Sequence, residues 1–334
     1  MKASMIRRLL FAGLLACGSS QATASDACST RATQQAATEL ARRIATTACA
    51  ENTLWFNPFI DSNGRLASTR VAEAESARLA DQATPAWLRV VDYWKQSGLL
   101  WSMGGFPGSS ECSYAGESHG QKAACRAFVI DNPWSAVFIS WVMQQSGVPG
   151  FRSSPSHIDY VRDAYAHPDS SPFRFTDPDA EQPAIGDLLC FVRAQSSVFG
   201  YDGLKAYLGA NPGVGLQMHC DVAVALDAGT LSLVGGNVLQ GVTMRLLHVN
   251  REGMLWGLPR RSGVDVGCSP SSETACNFNR QDWAVLLKLK PLSPMAQVRQ
   301  LPRPAAQPAC CVKCLLGADP PVPRCPQASD MQLP

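Results

Sequence analysis

"HCDVAVALDAGTLSLVGGN", His219 to Asn237, alternates or runs apolar on both sides of one turn signal and reads as a β-hairpin. With Asp227, Ala228 and Gly229 as a three-residue loop and Gly229 in the left-handed position, Leu226 faces Thr230 and His219 falls opposite Asn237. Opposed residues share a face, so His219, Asp221, Ala223 and Ala225 line up with Leu231, Leu233, Gly235 and Asn237. That face carries an imidazole and an amide that can orient it, beside small residues that leave room for a helix. Asp221, two residues from His219, is an alternative orienting group. A one-residue slip would send Asn237 to the other face.

Three further runs, "GDLLCFVR", "VTMRLLHVN" and "DWAVLLKLK", join the hairpin's two arms to give a set of five strands after Pro183. The chain before that point is read as helical over 29–48, 66–81 and from Pro85 to about Gly98, followed by a long loop from Leu99 to Ile130. Helices followed by hairpin-connected strands make the expected class α+β.

"NPWSAVFISWVMQQSG", Asn132 to Gly147, is expected to be a buried helix, with Asn132 as N-cap, Pro133 in the first position and Gly147 as the stop. Its apolar residues surround the axis almost completely. Ser135 lies in the first turn, where free N–H groups favour developing negative charge; a small residue there also suits close packing of the helix end. Another helix is expected near Ser156, which would put His157 early in it, either lining a cleft or solvated.

The opening 24 residues have a basic start, an apolar run and Ala22-Thr23-Ala24, the pattern of a secretory signal with cleavage after Ala24. Lipid attachment through Cys17 is the alternative. Removing this segment takes three of the 29 basic residues and none of the 27 acidic ones, so the formal charge passes from +2 to −1. Nothing in that balance suggests nucleic acid as a partner. No later run is long enough to span a membrane, and no sequence feature sets an oligomeric state.

Twelve of the 13 cysteines follow the signal. In an exported chain an even number reads as disulfides. Cys112 with Cys125 and Cys268 with Cys276 bracket polar loops and suit local bridges. A continuous helix over 29–48 would hold Cys28 and Cys49 about 30 Å apart, too far to bond. Cys190 and Cys220 read as structural, and the "CCVKC" tail with Cys325 as stapled rather than zinc-binding, with no metal or cofactor expected. The organisation expected is a signal over 1–24, a helical extension over 25–98, a catalytic-type domain over 99–291 and a Pro/Cys-rich tail over 292–334.

Trp134-Ser135-Ala136 opening a buried helix, then "GD" before a strand, then a strand-opening His219 and "GGN" closing the next strand, resembles the papain-like cell-wall hydrolases of the CHAP and NlpC type. "NPWSAVFISWVM", "GDLLCFVR", "HCDVAVAL" and "GGNV" together resemble the bacterial domain of unknown function 2272. The resemblance implies a papain-like core in which a buried helix packs on an antiparallel sheet, with His219 as base and Asn237 orienting it. In the CHAP pattern the position of Ser135 holds a nucleophilic cysteine; here it holds an alcohol, which must lose its proton during attack.

Three functions follow as expectations. The first is an exported amide or peptide hydrolase acting on peptidoglycan through Ser135, His219 and Asn237, with Asp221, His157 and Trp134 as accessory residues. The second is a disarmed module that binds peptides or glycans in the same cleft. The third is an envelope protein whose contacts come from the helical extension and tail.

Overall fold

The computed structural model describes Cys28 and residues 36–114, 118–194, 196–227 and 229–291. The signal segment, Cys17 and the tail cysteines Cys310, Cys311, Cys314 and Cys325 lie outside these residues. The described chain is mixed α and β, with seven α-helices and one eight-stranded sheet. In chain order the elements are α1 (Glu39–Leu54), β1 (Phe59–Ile60), β2 (Leu66–Ala67), α2 (Ala86–Gln96), α3 (Ser109–Ser113), α4 (His119–Asp131) and α5 (Ser135–Gln145). Then follow α6 (His157–Ala166), β3 (Phe173–Thr176), β4 (Leu188–Val192), α7 (Gly200–Ala210), β5 (Met218–Asp227), β6 (Thr230–Val238), β7 (Gly241–His248) and β8 (Asp282–Leu289). The sheet order is β2-β1-β7-β6-β5-β4-β8-β3, antiparallel at every pairing except β1 with β7. Among the described residues no helix is long and apolar enough to cross a membrane.

The five expected strand runs are all strands. Their register is subtler than the hairpin reading allowed. Asp227 pairs with Thr230 and Leu226 with Leu231, so two positions rather than three separate the paired residues. A bulge between Ala223 and Ala225 then adds one residue to β5, and beyond it Ala223 meets Leu233 and Val222 meets Val234, as the longer turn would have required. The two differences cancel before His219 is reached. The bulge also moves Ala225 off the expected face: Ala223, Leu231 and Leu233 pack in one core cluster with Phe191, Leu255, Leu258 and Trp283, and Leu226 rather than Ala225 joins them.

The helix α5 is buried along nearly its whole length, including Ser135 through Met143. It begins two residues later than expected, at Ser135 with Trp134 as N-cap, because Asn132 serves instead as the C-cap of α4. Gly147, at φ 68°, ends it as expected. On the sheet, a Cβ on Gly236 would lie 2.3 Å from Phe138 Cβ of α5, whereas one on Gly235 would lie 1.8 Å from Asp221 Oδ1. The face under α5 is therefore not the face of His219 and Asp221, and the expectation that α5 covers that hairpin face is corrected. Apolar residues from the segment between β7 and β8 fill the space reserved for the helix.

Other expectations fail for local reasons. Residues 66–81 form β2 and turns rather than a helix, since backbone bonds from Leu79 N–H to Thr84, Ala86 N–H to Ala77 and Trp87 N–H to Glu75 fold the segment against the start of α2. Tertiary pairing outweighs helix propensity there. The expected loop from Leu99 contains α3 and α4, the latter capped by Ser118 Oγ, which accepts from Gln121 N–H at 3.2 Å. Helix α1 starts only at Glu39, with Thr38 Oγ1 as its cap, so no rigid rod separates Cys28 from Cys49 and the two are bonded. Cys112–Cys125 and Cys268–Cys276 are bridged as expected, and Cys190–Cys220 joins directly opposed residues of β4 and β5. These four disulfides among the described residues suit an oxidising compartment.

Candidate active site

Ser135 opens α5, so its own N–H and that of Ala136 belong to the first turn and have no intrahelical acceptor. Its hydroxyl does not meet His219. Ser135 Oγ lies 2.7 Å from His157 Nε2, and His157 Nδ1 is hydrogen-bonded to the Tyr160 hydroxyl one turn along α6. His157 is thus the direct partner of Ser135 rather than an accessory. Both are buried, and both line a cleft of about 740 Å³ with Pro155, Met218 and Phe106. That volume is in the range of small-molecule and peptide sites.

His157 opens α6, which packs against β5, the strand that carries His219. Its ring centroid is 5.1 Å from that of His219. His219 Nε2 is 2.7 Å from Asp221 Oδ1, and Arg245 Nε donates to Asp221 Oδ2 at 3.0 Å. Arg245 in turn donates to Phe278 O and to Asn279 Oδ1, and its guanidinium lies against the rings of Phe191 and Trp283. The orienting group of His219 is Asp221, the alternative weighed from the sequence, and not Asn237. A side chain on Gly235 would occupy the space of this ion pair, which is why the "GG" precedes Asn237.

Asn237 leaves the ladder. Between Gly235 and Val238 the β6–β7 register shifts and Asn237 takes φ 53°, turning its side chain toward the N-terminus of α5. In the amide orientation its neighbours demand, its oxygen accepts from Trp134 N–H at 3.1 Å and Trp134 Nε1 at 3.2 Å, and its nitrogen donates to Glu73 Oε2 at 3.2 Å. Trp134 Nε1 also donates to Glu73 Oε2 at 2.7 Å. Asn237 therefore pins the cap residue of the serine helix, and Trp134 is the pin's other half.

Burial sets the electrostatics. The His157 imidazole is held well below its ordinary value by desolvation and by His219 beside it, while Asp221 works in the opposite direction. It is neutral at pH 7. Burial would raise the Asp221 carboxyl, but His219 and Arg245 outweigh it and bring it to about 2. Tyr160 is pushed well above its ordinary value by burial and by Asp221. Glu73 is raised by burial, with the Trp134 bond acting against the rise.

Sequence reasoning passed over Tyr160, Glu73 and Arg245. Tyr160 carried a signal in its three-residue spacing from His157, and Arg245 in being a lone cation within the apolar run "VTMRLLHV", which must find an anion when buried. Glu73 carried none, because its partner is distant in sequence. Among the described residues no cluster of His, Cys, Asp and Glu could hold a metal ion.

Neither the curated proteins nor the solved structures hold a match to the chain. The family profile described as "uncharacterized protein conserved in bacteria" (DUF2272) matches residues 81–289, which contain Ser135, His157, His219, Asp221, Asn237 and Arg245. With well over half of its 334 residues inside that match, the chain belongs to the DUF2272 family.

Proposed function

We propose that the protein is an exported hydrolase of amide or peptide bonds, with peptidoglycan or a peptide as substrate, working in the periplasm or outside the cell. The observation that carries the reading is the 2.7 Å contact between Ser135 Oγ and His157 Nε2 at the wall of the larger cleft. Ser135 attacks the carbonyl carbon as His157 Nε2 takes its proton, and the first-turn N–H groups of α5 stabilise the oxyanion. His157 then returns the proton to the departing amine, and water attacks the acyl-enzyme with His157 again as base. His157 Nδ1–H donates to Tyr160 in the tautomer this step needs. The Asp221 carboxylate favours the imidazolium that forms.

The papain-like reading is supported by a buried helix that carries the nucleophile position and precedes the antiparallel strands that carry His219. The alcohol at Ser135, in the place where that resemblance implies a thiol, favours a second reading, a disarmed peptide or glycan binder. Incubation with purified cell-wall sacculi separates them, read as newly released amino groups. Release by the wild type that is lost in Ser135→Ala supports the hydrolase. Release by Ser135→Cys alone supports a disarmed site, and binding without release by any variant supports a binder.

A further inference from the structure

A second cavity, of about 360 Å³, opens beside His219. The chain as a whole is nearly balanced in charge, yet the described residues lining this cavity include four arginines, Arg193, Arg245, Arg261 and Arg280, and no Asp or Glu. Arg245 is held from behind by Asp221, and Arg261 Nη1 is fixed by the Ala194 carbonyl at 2.7 Å. Among the described residues neither Arg193 nor Arg280 has a carboxylate within 4 Å. Guanidinium groups converging on one concavity recognise oxyanions, often through paired N–H donors.

Beside the polar His219, Asn237 and Gln281, the rest of the wall is apolar. Phe191, Phe278 and Val238 line it, together with Leu239. Leu239 and Gln240 form the two-residue turn between the paired Val238 and Gly241, and both sit at positive φ, 53° and 65°. Such a turn normally uses Asn and Gly, so placing Leu there costs of order 1 kcal/mol or more. The outcome of that strain is an exposed leucine at the cavity's rim. A bare inorganic anion would use the arginines and waste this apolar wall.

We propose that this cavity is a recognition subsite for a carboxylate borne on a small apolar body, the chemistry of a peptide's terminal residue. The subsite adjoins the reacting centre. His219 lines the cavity and its ring is 5.1 Å from that of His157, which lines the serine cleft, and Arg193 lines both spaces. That the carboxylate belongs to a substrate rests on the hydrolase reading; that the cavity binds it does not.

The test is a calorimetric titration of full-length Ser135→Ala protein with N-acetyl-leucine, its carboxamide N-acetyl-leucinamide, and inorganic phosphate. The acid is expected to bind about tenfold or more tighter than the amide, with binding weakened by added salt. Arg193→Gln and Arg280→Gln should each weaken the acid several-fold and leave the amide unchanged. Equal binding of acid and amide, or no effect of either arginine variant, overturns the proposal. Phosphate that binds as tightly as the acid overturns it too, in favour of a simple anion site. Hydrolysis of sacculi by the wild type without acid-over-amide preference removes the subsite and leaves the hydrolase; the preference without any hydrolysis does the reverse.

Discussion

Ser135 Oγ and His157 Nε2 are 2.7 Å apart across the starts of two helices, while His219, the histidine of the strand, is bonded to Asp221. The division assigns different work to the two histidines. His157→Asn should lower any hydrolysis by about 10²-fold or more and abolish labelling of Ser135 by a serine-directed fluorophosphonate. His219→Asn should leave labelling detectable. Labelling that survives in the His157 variant would remove the base role.

Stability should depend on pH in a defined direction. His157 is buried neutral, facing His219, Asp221, Arg193 and Tyr160, and its folded value is well below the ordinary 6.5. Below pH 6.5 the unfolded chain therefore binds a proton that the folded chain does not, and stability falls by about 1.4 kcal/mol per pH unit. Asp221 adds a loss of the same sign between 3.8 and about 2. Urea midpoints measured from pH 7 to pH 5 should decline, and His157→Gln should flatten the decline; an unchanged slope would contradict the assignment.

The space beside the ion pair is filled to its limit. Gly235→Ala places a Cβ 1.8 Å from Asp221 Oδ1 and 3.0 Å from His219 Nε2, so the pair must part or the strands must shift. A loss of about 3 kcal/mol in urea unfolding is expected, the scale for disrupting a buried ion pair. A variant as stable as the wild type would show that the strand end yields easily.

Asn237 acts on the serine helix and not on His219. Asn237→Gly keeps the positive φ but removes the bonds to Trp134 and Glu73, which should cost about 1–3 kcal/mol. Because no contact with His219 is lost, the pH profile of hydrolysis should keep its shape while its height falls. Asp221→Asn, in contrast, should change the shape. A shifted profile in the Asn237 variant would restore the orienting role to it.

Peptide mapping without reduction should recover Cys28–Cys49, Cys112–Cys125, Cys190–Cys220 and Cys268–Cys276. Replacing both Cys190 and Cys220 by Ser should cost about 2–5 kcal/mol, since the bridge ties two adjacent interior strands next to the site. Free thiols at these positions would count against the pairing.

The sequence by itself determined the strands after Pro183, the buried helix ending at Gly147, the helix at His157 and the residue types of the site, because period, turn residues and caps are local properties. It also placed His219 and Asp221 on one face. What only the tertiary structure decided was which partner each group takes. A one-residue bulge in β5 compensated a shorter turn, a positive φ swung Asn237 toward Trp134, and α5 settled on the face opposite His219 because apolar residues from between β7 and β8 had filled the other. Helix α6 then brought His157 to Ser135. None of these is written in a spacing, since each follows from competition among distant segments for the same buried volume.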